Sequence, residues 1–136
     1  MEIRLSLAPS VRPVMSTDPR HDLGRRGEQL AAEHFERLGY EVIARNHRTR
    51  FGELDLVVAD ADTLVFCEVK TRRAGSGAPW DSLGEGKRSQ VRSMAVAWLS
   101  EAHGRPRTSK LRFDAVGVIL DARGALVSLD HLEGAF

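Results

Sequence analysis

The chain has 136 residues, 42% of them apolar and 29% charged, and its 20 basic against 19 acidic residues leave a net charge of +1. These are the proportions of one ordinary globular domain with a core of its own. They exclude a polycation that binds nucleic acid by bulk charge, a disulfide scaffold and a paired-cysteine metal site, because Cys67 is the only cysteine.

Residues 1–20 hold no sustained apolar run and read as a disordered extension lacking a signal peptide, with Met15 as an alternative start. Residues 21–136 read as a single domain. No stretch resembles a membrane span, and the lone cysteine suits a reducing, cytoplasmic setting. From Asp22 to Leu38 the spacing predicts a helix. Leu23, Gly27, Leu30, Ala31, His34, Phe35 and Leu38 share one arc, with Asp22 as N-cap and Gly39 as stop. Glu28 falls on the shoulder of that arc. Tyr40 to Asn46 reads as a strand, and "HRTRF" as a basic loop. "ELDLVV" and "TLVFCEVK" are two more strands, and Thr71 to Gly86 a long loop rich in Gly, Ala and Ser. A second helix runs from about Lys87 to Ala102, with Val91, Met94, Ala95, Trp98 and Leu99 as its core stripe. "LRFDAVGVIL" is a fourth strand, "DARG" a turn, and "ALVSLDHL" a fifth strand. The long helical crossover should return the fourth strand parallel to the third, which gives an α/β sandwich with a mixed sheet and a helix on each side.

The charges inside "GELDLVVADADTLVFCEVK" (Gly52 to Lys70) are the informative feature. If Ala61 and Asp62 form a two-residue turn, Asp55 lies opposite Glu68 and Glu53 opposite Lys70. Opposed side chains share a face, so Asp55, Glu68 and Lys70 gather on one ledge. Alternation then turns Leu54, Leu56, Val58, Val65, Cys67 and Val69 to the other face. Two opposed carboxylates repel and need an offset. Lys70 supplies part. A divalent cation would supply more, and a set of carboxylates with the Val69 carbonyl suits Mg²⁺ or Mn²⁺ rather than Zn²⁺. A salt-bridge ladder on an exposed sheet face explains the same residues, and the hairpin alone does not choose between the two.

"GRRGE" at Gly24, "GELDLV" at Gly52 and "VFCEVKTR" at Val65, in this order, resemble the YraN-like family of predicted endonucleases. That family is related to archaeal Holliday junction resolvases within the PD-(D/E)XK, restriction-endonuclease-like superfamily. "LGY", "RN", "KR", "RFD" and the terminal "AF" add to the likeness, which covers Gly24 to the C-terminus. The resemblance implies a restriction-endonuclease-like α-β-β-β-α-β core and a metal-dependent endonuclease acting on DNA, with branched or single-stranded DNA as the substrate. By the same carry-over, Asp55, Glu68 and Glu28 would ligate Mg²⁺ or Mn²⁺ with Val69, and Lys70 would orient the attacking water. Glu53 reads as a salt-bridge partner. Arg45, Arg48, Arg50, Arg72, Arg73 and Lys87 are the phosphate-contacting candidates, although Lys87 could equally snorkel from the core stripe. Trp80 could stack on a base or pin its loop, Asp114 reads as a buried partner of Arg112, and the histidines show no ligand spacing. Cutting both strands of a junction would require a homodimer. The competing reading is a non-catalytic nucleic-acid-binding or adaptor protein on the same fold.

Overall fold

The computed structural model describes residues 2–3, 19–77, 85–101 and 108–136. In chain order these form β1 (Glu2–Ile3), α1 (Pro19–Arg37), β2 (Glu41–Thr49), β3 (Gly52–Ala59), β4 (Thr63–Arg73), α2 (Glu85–Glu101), β5 (Lys110–Leu120) and β6 (Leu126–Leu132). The sheet runs β1-β6-β5-β4-β3-β2, antiparallel except for the β4–β5 pair, which is parallel as the crossover through α2 requires. The expected mixed sheet between two helices is therefore present. Trp80, Ala102, Arg105, Arg107 and most of the expected N-terminal extension lie outside the described residues. No helix among the described residues is long and apolar enough to cross a membrane.

One apolar layer lies between α1 and the sheet. There Leu30, Ala31 and Phe35 meet Leu56, Val58, Val65, Cys67, Val69, Val116 and Val118. The second layer lies between α2 and the other face, where Val91, Met94, Ala95 and Trp98 meet Leu54, Val57, Leu64 and Phe66. Helix α1 starts one turn earlier than expected, because Pro19 suits a first helical position; Asp22 sits in the first turn rather than at the cap. It ends as expected. Gly39 takes φ 95°, and the bonds from Gly39 N to Glu36 O and Tyr40 N to Phe35 O complete a Schellman stop. Leu38, assigned above to the buried arc, sits at this stop and is 43% exposed.

Two expected loops begin as strand. The basic "HRTRF" stretch continues β2 to Thr49, because Arg48 pairs with Glu53 across the strands. Only Arg50 and Phe51 form the turn, which the Thr49 hydroxyl closes by donating to Gly52 O and accepting from Phe51 N. Likewise β4 runs on through Arg73, paired along its whole length with β5, so Arg72 and Arg73 are strand residues.

The β3–β4 register is the expected one. Ala59 pairs with Leu64, Val58 with Val65, Val57 with Phe66 and Leu56 with Cys67. The turn is tied by Asp60, whose carboxylate accepts from Asp62 N and Thr63 N. The ladder then stops one step before Asp55 and Glu68. Leu54, expected beside Leu56 on one face, packs instead into the α2 layer, while Leu56 packs into the α1 layer. Two residues apart in a regular strand share a face, so β3 turns over between them. Strand β2 does the same at the same level: it pairs Arg45 with Leu56 and His47 with Leu54 but skips Asn46 and Asp55.

Candidate metal centre

Where the ladders break, acidic side chains converge. Glu28 from α1 and Glu53 and Asp55 from β3 bring one carboxylate oxygen each within 4.8 Å of one another. Helix α1 can approach this closely because of Gly27. A Cβ there would run into the Thr71 side chain of β4, so only glycine seats the helix against the strand. Glu28 is the next residue along. Gly52, in turn, combines φ 132° with an approach to α2 in which a Cβ would stand 2.6 Å from Gln90 Nε2. Gly27 of "GRRGE" thus sets the spacing of α1 against the sheet, while Gly52 of "GELDLV" is required by its backbone conformation.

Asp55 lies at the junction. Its Oδ2 accepts from Val69 N at 2.8 Å, replacing the ladder bond that β3 and β4 no longer make. Burial, and then the neighbouring Glu68, push its carboxyl up to about 8, with Glu28 adding to the rise. Burial also raises Glu28, although Arg25 counters part of the effect. Glu68 is itself buried, and its Oε1 pairs with Lys87 Nζ at 2.9 Å and Lys70 Nζ at 3.6 Å. The carboxylates are therefore two groups that meet at Asp55. Glu28 and Glu53 stand on one side, and Glu68 with its two lysines on the other.

Of the residues expected at the site, Glu28, Asp55, Glu68 and Lys70 are brought together. Val69 takes part through its N–H. Lys87 neither snorkels nor stands free, but pairs with Glu68. Arg48 reaches Glu53 at 3.9 Å. The remaining arginines make their contacts elsewhere: Arg45 donates to Gln29 at 2.6 Å, Arg50 lies over the Phe51 ring, Arg72 donates to Thr71 O and Arg73 to Ala122 O. Glu53, read as a salt-bridge partner only, joins the acidic group as well as pairing with Arg25 and Arg48. Two residues were missed. Arg25 donates to Glu28 at 3.2 Å, and its position three residues before Glu28 on a helix was a usable signal. Asn46 lies near enough to Glu28 to offset a little of that rise, and an asparagine inside a strand was the only hint. His21, Gly24, Arg25, Glu28, Arg48 and Glu53 line an open concavity of about 330 Å³ beside the group.

Comparison with known proteins places this arrangement. The description "Uncharacterised protein family UPF0102" matches residues 27–118, a span that holds Glu28, Asp55, Glu68 and Lys70. The chain belongs to UPF0102, the YraN-like family. A UPF0102 protein of Acidothermus cellulolyticus is 44% identical over 126 residues, covering 86% of this chain and 95% of its own. One from Streptomyces griseus is 47% identical over 116 residues, covering 85% and 96%. One from Pelotomaculum thermopropionicum is 41% identical over 121 residues, covering 88% and 98%. The family match therefore runs from within α1, through β2, β3, β4 and α2, to Val118 of β5, and the acidic break lies within it.

Proposed function

We propose that this UPF0102 chain is a metal-dependent endonuclease that hydrolyses DNA phosphodiester bonds, with branched or single-stranded DNA as its substrate. The observation that carries the reading is the carboxylate group of Glu28, Glu53 and Asp55, with Glu68 against Asp55, set where the sheet opens and edged by Arg25, Arg48, Lys70 and Lys87. Buried carboxylates that repel one another call for a cation. Oxygen-only donors fit Mg²⁺ or Mn²⁺, held by Glu28, Glu53 and Asp55, with Glu68 completing the set from across Asp55. Such an ion supplies charge stabilisation at the phosphoryl oxygens and a more acidic bound water.

The chain's own groups do the rest. Lys70 presents a fixed positive charge beside Glu68, suited to orienting a water and to stabilising charge that develops on the phosphorus oxygens. Arg25 and Arg48 flank the concavity that opens onto the carboxylates, a position suited to a backbone phosphate. Contacts of this kind read backbone shape rather than base sequence, which favours structure-selective recognition.

The pairing of Glu68 with two lysines supports a second reading, a nucleic-acid-binding or adaptor protein in which the group is a salt-bridge network. One experiment separates the two. Duplex, single-stranded, flapped and four-way-junction DNA are incubated with the protein in Mg²⁺, Mn²⁺ or EDTA, beside Asp55→Ala, Glu68→Ala and Lys70→Ala. The nuclease reading expects cleavage that EDTA abolishes and that each substitution lowers about a hundred-fold or more. Binding without cleavage in either metal would leave the adaptor reading.

A further inference from the structure

We propose that the β5–β6 turn is a contact point for the phosphate backbone of DNA, formed by Arg123 with Arg26 and Arg73 and separate from the acidic group. The inference rests on DNA being the ligand, as in the reading above, and not on its being cut. Three elements meet at this turn. Arg26 of α1 donates from Nε to Gly124 O at 3.4 Å, and Arg73 at the end of β4 donates to Ala122 O at 3.3 Å. Arg123 stands between those two carbonyls in the chain and is exposed. The turn itself is tied down. The Asp121 carboxylate accepts from Arg123 N at 2.8 Å and Ala125 N at 2.9 Å, and Gly124 takes φ 82°. The fold thus assembles three arginines that lie far apart in sequence.

Uncompensated charge marks the cluster. Arg25, Arg48 and Arg112 each pair with a carboxylate. Among the described residues, Arg26, Arg73 and Arg123 form no ion pair. Arg26 and Arg73 rest on neutral carbonyls, through bonds at the long end of the range. The one carboxylate of the turn, Asp121, gives its Oδ1 to backbone N–H groups. Three positive charges therefore face one negative charge, and an anion would offset the excess. Guanidinium forks match phosphate oxygens in geometry as well as charge. The position suits a polymer of phosphates. On α1, Gly27 separates Arg26 from Glu28, so one reaches the β5–β6 turn and the other the acidic group. On β4, Val69 marks the level of Asp55, and Arg73 lies four residues further along, about 13 Å. A DNA strand rising about 3.4 Å per nucleotide covers that distance in roughly four nucleotides. In the sheet, β2 with Arg48 and β5–β6 with Arg123 stand on opposite sides of β3 and β4. A backbone crossing the carboxylates would meet an arginine on either side of them.

The test is fluorescence anisotropy of labelled duplex and single-stranded DNA with the full chain in EDTA, over a series of salt concentrations. Arg123→Gln is expected to flatten the slope of log K against log salt by about 0.9 on duplex and 0.7 on single strands. At 0.1 M salt that corresponds to a loss of about five- to ten-fold in affinity. Arg123 is exposed, so the unfolding midpoint should not move. Adding Arg26→Gln should flatten the slope about twice as much. Lys110→Gln, at the far end of β5, removes the same charge and should leave the slope as in the wild type. Wild-type slope and affinity in Arg123→Gln would overturn the inference, and so would an equal loss in Lys110→Gln. Displacement of DNA by inorganic phosphate at fixed ionic strength would also overturn it, in favour of a free-phosphate site. So would a wild type that binds no DNA. A wild type that binds through these arginines but cuts nothing in Mg²⁺ or Mn²⁺ would uphold the inference and sink the nuclease reading.

Discussion

Two aspartates in this protein are taken out of water by the same sheet and meet opposite fates. Asp114 on β5 is fully buried, yet every oxygen is served. Arg112 donates to both oxygens at 2.8 Å, His131 Nε2 lies 2.7 Å from Oδ2, and Gly134 N donates at 3.1 Å. Burial works against its charge, but the bonds from His131 and Arg112 hold its carboxyl below the usual range. The network continues from His131 Nδ1 to His34 Nε2 at 3.0 Å and from Arg112 to the Tyr40 hydroxyl. Asp55 has one backbone N–H, and burial, followed by the nearby Glu68, raises its carboxyl to about 8. One aspartate is complete within the chain and serves as a tie between α1, β5 and β6. The other is short of positive charge, as a carboxylate that awaits a ligand would be.

Substitution should expose the difference. The largest effect is expected from Asp114→Ala, which strands the buried His131 and takes from Arg112 its closest partner; removing one partner of a buried pair costs about 3–5 kcal/mol. Urea unfolding measures it, and a change under about 1 kcal/mol would mean the network is ornamental.

Acid should attack the same network next. Burial, reinforced by His131, lowers His34 from 6.5 to about 4. The unfolded chain takes up a proton at His34 near pH 6.5 while the folded chain refuses it until about pH 4. Stability from this group is therefore complete above 6.5 and falls as pH drops through that window, by at most about 1.4 kcal/mol per unit. His34→Gln should flatten the profile between those limits, as followed by unfolding midpoints across the pH range.

The smallest effect has the opposite sign. Asp55 is raised, so its contribution is intact below pH 3.8 and is lost as pH rises through about 8. Asp55→Asn should stabilise the protein by roughly 0.5–2 kcal/mol at pH 8, the trade expected where a site is kept for function. Mg²⁺ should raise the unfolding midpoint of the wild type and leave that of Asp55→Asn unmoved. If both aspartates destabilised equally on substitution, the contrast between them would collapse.

Much of this was legible in the sequence. The alternation of β3 and β4, the stripe of α2 and the crossover gave the layers, and a two-residue turn at Ala61–Asp62 gave the register that pairs Leu56 with Cys67. The break at Asp55 was not legible, because strict alternation assumes that a strand keeps its faces; it therefore put Leu54 with Leu56. Sequence patterning also could not assemble the Asp114 network, whose histidines lie 97 residues apart and whose carboxylate and nearer histidine lie 17 apart. The partners of Arg45, Arg72 and Arg73 were hidden for a related reason. A basic run on a strand sends alternate side chains to different faces, so adjacency in sequence did not gather them.

The contact between Gly27 and Thr71 has a consequence for the family as a whole. It sets the gap between α1 and β4 by backbone against side chain, with no space to spare. The two positions therefore behave as one unit of volume. In any UPF0102 chain that keeps this seating, a larger residue at the first should be matched by a smaller one at the second, and a change at one alone should carry Glu28 out of reach of Asp55.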